Sequence, residues 1–269
     1  GVNDAPALKK ADIGISMGMS GTDVAREASN MVLADDNFST IVKAVKEGRG
    51  IYSNIRRFIY YLLVGNFTEI CVIFFSVLAG LLLPLTALMI LFVNIVTSTF
   101  PASSLSIEPT KDRVMKQRPR NPKERLLSSY ILLKILVLVP ILFTGTLLLF
   151  VWELNVNDAG IEHARTMAFA TIIMFELFHV FNSRSLHSTI FKKDFFTNKY
   201  IFIAIGVSFF AMLVAVYAEP AQAIFQTVAL SASDWAIVIL LSSSVVIIAE
   251  IIKLLIRSEI KEQNKLGMH

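Results

Sequence analysis

Apolar residues fall in long blocks along this chain rather than at scattered positions. Six blocks, at about 58–83, 85–105, 128–152, 165–183, 200–217 and 235–256, are each near the length a helix needs to cross a bilayer. Residues 1–37 have another rhythm. They predict a turn-rich loop at 1–6, a short helix at 7–11 and a strand at 13–17. A turn through Gly18, Ser20, Gly21 and Thr22 follows, then a helix at 23–29 and a strand at 31–34. Alternating strand and helix is the pattern of half an α/β sheet. So short a piece cannot bury a core alone. Between the two regions, Ile41, Val45, Ile51 and Ile55 recur at spacings near three and four through Gly48 and Gly50, predicting a helical stalk over 38–57. That stalk is either a rod that carries motion to the membrane or an ordinary amphipathic connector. The expected architecture is therefore mainly α. It is a polytopic membrane bundle of six transmembrane helices over 58–256, preceded by an α/β remnant and followed by a tail at 257–269.

Composition agrees with that pattern. The chain is 55% hydrophobic, and its mean hydropathy of +0.64 is well above that of a typical soluble domain. A net charge of +4 could point to nucleic acid. Lys and Arg are confined to the connections, however, so the lipid bilayer is the expected partner and nucleic acid is not. The segment 108–125 holds seven Lys or Arg against three Asp or Glu, and Pro109, Pro119 and Pro122 keep it from becoming a helix. The connections 153–162 and 219–234 contain no Lys or Arg, whereas 184–199 and 257–265 are basic, which predicts both chain ends in the cytosol. The tail shows no retention signal, so a plasma membrane is the expectation. A lone Cys71 permits no intrachain disulfide. The start at Gly1, inside a loop, reads as the C-terminal part of something longer.

Polar residues inside the apolar blocks carry the chemistry. Asn66 and Glu69 lie three apart in the first block; Asn94, Thr97 and Ser98 lie three and four apart in the second. A charged residue at bilayer depth costs about 2.5–3.5 kcal/mol, so it usually faces a bundle interior or an ion path. Pro101 has no N–H for the Thr97 carbonyl, so the second helix should kink or unwind between Thr97 and Phe100. Transporters use such freed carbonyls to coordinate cations. Asn, Thr and Ser also join helices by hydrogen bonds, and that reading stays open. Glu176 lies mid-block with His179 on the same face; one Glu-x-x-His pair is too little for a di-iron bundle. Lys134 and Glu250 lie near helix ends and are expected to snorkel. In the loop at the start, Asp4 beside Asn3 is either a Mg²⁺ ligand or a solvated cap. The Gly18 and Gly21 turn matches no phosphate-binding fingerprint and reads as a plain turn.

Several runs carry a family resemblance. GVNDAPAL (1–8), DIGI (12–15), GTDVAREA (21–28) and MVLADDNF (31–38) resemble the end of the phosphorylation domain of P-type cation-transporting ATPases. NFTE (66–69) and VNIVT (93–97) resemble the fifth and sixth transmembrane helices of the type II, calcium-pump-like branch. The resemblance implies that residues 1–37 end a HAD-like, Rossmann-type phosphorylation domain. In it Asp4 would hold Mg²⁺ and Asn3 would help hold the phosphoryl group. It also implies ATP as substrate and the remaining N-terminal domains of the same polypeptide as partners. The phosphorylated Asp would lie upstream, so this piece alone would not hydrolyse ATP. Asn66, Glu69, Asn94, Thr97, Ser98 and Glu176 would line the path of the transported cation, with Ca²⁺ exported from the cytosol as the expected cargo and Na⁺, K⁺, H⁺, Mn²⁺ or Mg²⁺ as alternatives. Two departures stand out. Ser98 occupies a position where calcium pumps carry an Asp, so a weaker Ca²⁺ site, a single ion, or a monovalent ion or proton instead is expected. His179 replaces an amide. A secondary transporter or channel, or a non-catalytic membrane subunit, would be the rival classes.

Overall fold

A computed structural model describes residues 1–116, 119, 125–186, 189 and 196–265. The chain divides into two compact units, one formed by Gly1–Tyr52 with Thr110–Pro119 and the other by Ser53–Pro109 with Arg120–His269.

The first unit opens with a 3-10 turn, Val2–Asp4, and helix α1, Ala5–Lys10. Strand β1, Ile15–Met17, helix α2, Asp23–Ala28, and strand β2, Met31–Leu33, then make a single βαβ step. The strands pair in parallel with Ile15 opposite Met31. Thr22 starts α2 because its hydroxyl accepts the Ala25 amide at 3.3 Å, which satisfies one of the free donors of the first turn. Ala25, Ala28 and Leu33 form the small buried core. The turn after β1 is filled from within. Its Met19 and Ser20 amides donate to the Asp36 carboxylate at 2.8 and 2.7 Å, and Arg26 donates to the carbonyls of Gly18 and Gly21 at 2.9 and 2.6 Å. The amides that could have cradled a phosphate are thus occupied, as a plain turn requires.

Helix α3, Ser39–Leu78, runs for 40 residues and passes Gly48 and Gly50 without a break. Within the first unit, Lys46 pairs with Asp112 at 2.6 Å, Glu47 accepts from Thr110 at 2.9 Å, and Arg49 donates to the Val114 carbonyl at 2.7 Å. A 3-10 turn, Asp112–Lys116, stands in the segment expected to be irregular. Pro122 and the basic residues Arg118, Arg120 and Lys123 lie outside the described residues.

The second unit is helical. Helix α4, Ala87–Phe92, passes into a π-helical turn, Val93–Thr97, and then into α5, Thr99–Ser106. Helices α6, Ser129–Asn155, α7, Ile161–Arg184, and α8, Lys199–Tyr217, follow. A short α9, Glu219–Phe225, precedes α10, Ala232–Lys265. Six of these stretches are long and apolar enough to cross a membrane, α4 to α5 counting as one. Two helix ends depart from the apolar blocks, and one short helix lies outside them. Helix α3 stops at Leu78, before the block ends at 83, because Gly80 takes a left-handed conformation (φ 68°). There the Leu81 amide donates to the Ser76 carbonyl at 2.9 Å and the Gly80 amide to Val77 at 3.1 Å, which closes the helix end. Helix α10 continues past residue 256, through positions expected to form a tail; residues 266–269 lie outside the description. Helix α9 was not foreseen, although Pro220 sits in its first turn, where the missing N–H costs nothing.

Helix α7 is the hub. It packs on α5, α6, α8 and α10, and 83% of its most apolar stretch is buried, against 44% or less in the other five.

Candidate cation site

Three paths bring polar groups together in the second unit. On α3, Glu69 is buried because the helix turns it inward, whereas Asn66, about 60° further round the helix, is exposed. The structure thus does not bring Asn66 to the cluster. From the π-turn, Asn94 donates to Glu69 Oε2 at 2.6 Å and to the Ile90 carbonyl at 3.0 Å. Ser98, 2% exposed, donates from Oγ to Glu176 Oε2 on α7 at 2.6 Å. The two carboxylates therefore share one neighbourhood, each held by a neutral donor from the same bent segment. Glu69 Oε1 is buried with no partner among the described residues. An unpaired buried carboxylate oxygen costs free energy until something positive or a water meets it.

The irregular turn lies earlier than expected: the backbone widens over Val93–Thr97, with the Ser98 amide donating to the Val93 carbonyl at 2.8 Å, five residues back, while the stretch expected to unwind, from Thr97 to Phe100, leads directly into the regular helix α5, which contains Pro101. Thr97 turns its hydroxyl to Val93 at 3.0 Å, so its side chain is not aimed at the carboxylates. Its carbonyl, deprived of the Pro101 N–H, accepts Ser208 Oγ from α8 at 3.2 Å. A lone Ser in the otherwise apolar run 200–217 was the available signal for that contact.

A cavity of about 10 Å³ opens beside Glu176, lined by Gly65, Thr68 and His179 among others. That is the lower edge of what one water needs. His179 is 2% exposed, its ring 5.1 Å from Tyr60 and 6.0 Å from Tyr61, and neither ring nitrogen has a partner among the described residues. Gly65 was also missed: a Cβ there would stand 2.7 Å from Glu176 Oε1, so only glycine lets the carboxylate lie against α3. Lys134 does not snorkel. It is buried, donates to the Leu186 carbonyl and lies 4.5 Å from the Tyr130 ring centre. Glu250 pairs with Lys253 at 2.8 Å. Asp4 and Asn3 belong to the other unit and are exposed on its first turn.

Among the described residues, no three His, Cys, Asp or Glu side chains gather as a ready-made metal centre. The oxygens available here come from two carboxylates with amide, hydroxyl and backbone groups, the mixed donor set that hard cations take.

Six long apolar helices that bury Glu69 and Glu176 at mid-helix define an integral, multi-pass membrane protein. Residues 82–255 match the family model described as "Cation transporting ATPase, C-terminus", and the chain belongs to that family. It is 46% identical over 243 residues to the "Calcium-transporting ATPase" of Bacillus subtilis, covering 90% of this chain and 27% of that protein. It is 39% identical over 264 residues to "Calcium-transporting ATPase 1" of Saccharomyces cerevisiae, covering 98% and 28%. A rat "Calcium-transporting ATPase type 2C member 2" is 41% identical over 254 residues, covering 94% and 27%. The chain spans less than a third of the length of these relatives.

Proposed function

We propose that this chain is the C-terminal part of an ATP-driven cation pump that works through an aspartyl-phosphate intermediate and exports Ca²⁺ from the cytosol. The observation that carries the reading is the pair of inward carboxylates, Glu69 and Glu176, each bonded to the π-turn between α4 and α5. An arriving cation would take over the positions of the two donated hydrogens. Turning the Asn94 amide would then offer its carbonyl oxygen, and Ser98 would offer a hydroxyl oxygen. The relatives named as calcium-transporting ATPases support Ca²⁺ as cargo. Two carboxylates suit one divalent ion, and Ser98 adds no charge, so a single ion per cycle is the proposed load. Asn66 would join only through groups outside this cluster.

In the head, residues 1–37 would close a HAD-like phosphorylation domain. The exposed Asp4 carboxylate on its turn fits Mg²⁺, which keeps several waters and takes one or two carboxylates. Mg²⁺ held there would neutralise charge on a transferring phosphoryl group, and Asn3 would orient it. Both ends of the chain would face the cytosol, in a plasma membrane.

The test is ATPase activity of the full-length parent in lipid vesicles, screened against Ca²⁺, Mn²⁺, Na⁺, K⁺ and pH. Stimulation by Ca²⁺ that Glu69→Gln lowers at least tenfold in apparent affinity is the expected result. Stimulation by a monovalent ion alone would remove Ca²⁺ from the reading. Ion flux without ATP would replace the pump by a channel or secondary transporter.

A further inference from the structure

Among the described residues, the most heavily bonded buried carboxylate in the helical unit is neither Glu69 nor Glu176. Glu108 is 3% exposed, two residues beyond the end of α5. Arg184 Nε, at the end of α7, donates to Glu108 Oε1 and Oε2 at 2.9 and 3.0 Å, and Asn198 Nδ2 donates to Oε2 at 2.9 Å. The backbone carbonyl of Glu108 accepts Asn54 Nδ2 from α3 at 2.8 Å, and the same amide reaches the Ser106 carbonyl at 3.1 Å. Asn198 also donates to the Ser104 carbonyl at 3.0 Å, while its Oδ1 accepts the Tyr200 amide and caps α8. One residue thus ties together α3, α5, α7 and α8.

Three of those four helices, or their continuations, carry the candidate ligands. Arg184 lies eight residues past Glu176, about 12 Å along α7. Glu108 lies ten residues past Ser98, on the far side of the π-turn and Pro101. That segment has lost the regular hydrogen bonds that would make α4 and α5 one stiff rod, so the direction of α5 must be fixed from outside. Two contacts near the ligands do part of this, Ser208 on the Thr97 carbonyl and Ser98 on Glu176. At the other end, the Glu108 fork holds α5 to α7.

We propose that Glu108 is a positioning residue for the cation site, its fork with Arg184 setting the register of α5 against α7 so that Ser98 meets Glu176. The inference rests on the pump reading above. Breaking a fork between two buried charges frees α5 to drift, and the ligands it carries lose alignment. Arg is required because its Nε–H, fixed in the guanidinium plane, is shared between both carboxylate oxygens, a direction that the freely rotating Lys ammonium does not fix.

The experiment uses the full-length parent in lipid vesicles with Ca²⁺ as probe, measuring the Ca²⁺ concentration for half-maximal ATPase stimulation, the maximal rate and thermal stability. Glu108→Gln is expected to raise the half-maximal concentration about 2- to 30-fold, the range of coupling through a packed network, with most of the maximal rate kept. Should that variant not fold, Arg184→Lys keeps the charge, removes the fork and carries the same expectation. The pair Glu108→Arg with Arg184→Glu should recover part of the affinity. Unchanged half-maximal concentration with lowered thermal stability would make the fork a mere fastening and overturn the proposal. A parent that hydrolyses ATP but answers to no cation would remove the pump reading itself, and the positioning role with it.

Discussion

At the scale of single residues, charge in an apolar setting is what makes a site legible. Glu69 and Glu176 stand out because each is the one acidic residue in its apolar block, and the structure buries both. Asn94 and Ser98 were legible from sharing one helical face with Thr97, and each meets a carboxylate. Asn66 shows the limit of a shared-face argument: a position 60° away is enough to leave a side chain outside the cluster. Gly65 was not legible, because a glycine announces no contact until the neighbour that needs its space is known. It supports a prediction. In Gly65→Ala the new Cβ would lie 2.7 Å from Glu176 Oε1. The carboxylate is the far end of a flexible chain and can move, so the fold should survive. Its bond to Ser98, of the charge-assisted kind worth about 1.5–3 kcal/mol, should not. A fall in thermal stability no larger than one lost hydrogen bond, with roughly tenfold or greater loss of apparent Ca²⁺ affinity, is expected in the vesicle assay. Stability lost with affinity intact would count against the placement of Glu176.

At the scale of elements, sequence period located every long helix but not where each one stops. Ends depend on single conformations such as that of Gly80, and α10 runs past the apolar block to Lys265. The π-turn is a related case. Pro101 announced a break, but whether the backbone would open into a loop or widen by one residue depended on α8 offering Ser208 to the free carbonyl. In the βαβ step, the turn after β1 depends on Asp36, a left-handed residue (φ 49°) that accepts two amides. Hydrogen bonds from Ser20, and next from the Met19 amide, hold its carboxyl below the usual 3.8. A carboxyl depressed in the folded state stabilises above its unfolded value and loses that contribution as pH falls through the folded one. The turn should therefore loosen only below about pH 3.8. Chemical shifts of the Met19 and Ser20 amide protons, followed in ¹⁵N-labelled protein, should titrate in that acid range in the parent and stay flat in Asp36→Asn. A midpoint at or above 3.8 would contradict the assignment.

At the scale of the helical unit, hydropathy and burial run in opposite directions. The least apolar of the six membrane-length helices is α7, yet it is the most buried, because its polar residues are inside and its neighbours, not lipid, cover it. Outer helices must satisfy lipid along most of their surface and so announce themselves strongly in sequence. A central helix needs to satisfy only the bundle, so its hydropathy falls while its tolerance of shape change vanishes. This is why the sequence revealed six spans but not which one the others are built around. A central α7 implies an asymmetry between two substitutions of similar chemical size. Ala168 on α7 is fully buried, packed with Phe150 and Ala164, so Ala168→Leu forces extra methylenes into a closed space at a cost of about 1–3 kcal/mol. Leu240 on α10 is 75% exposed, and Leu240→Ala removes only contact with the surrounding lipid or detergent. Thermal unfolding in one detergent should show a clear drop for Ala168→Leu and little change for Leu240→Ala. Equal drops would mean that α10 is covered as closely as α7, and that the second unit is not organised around α7.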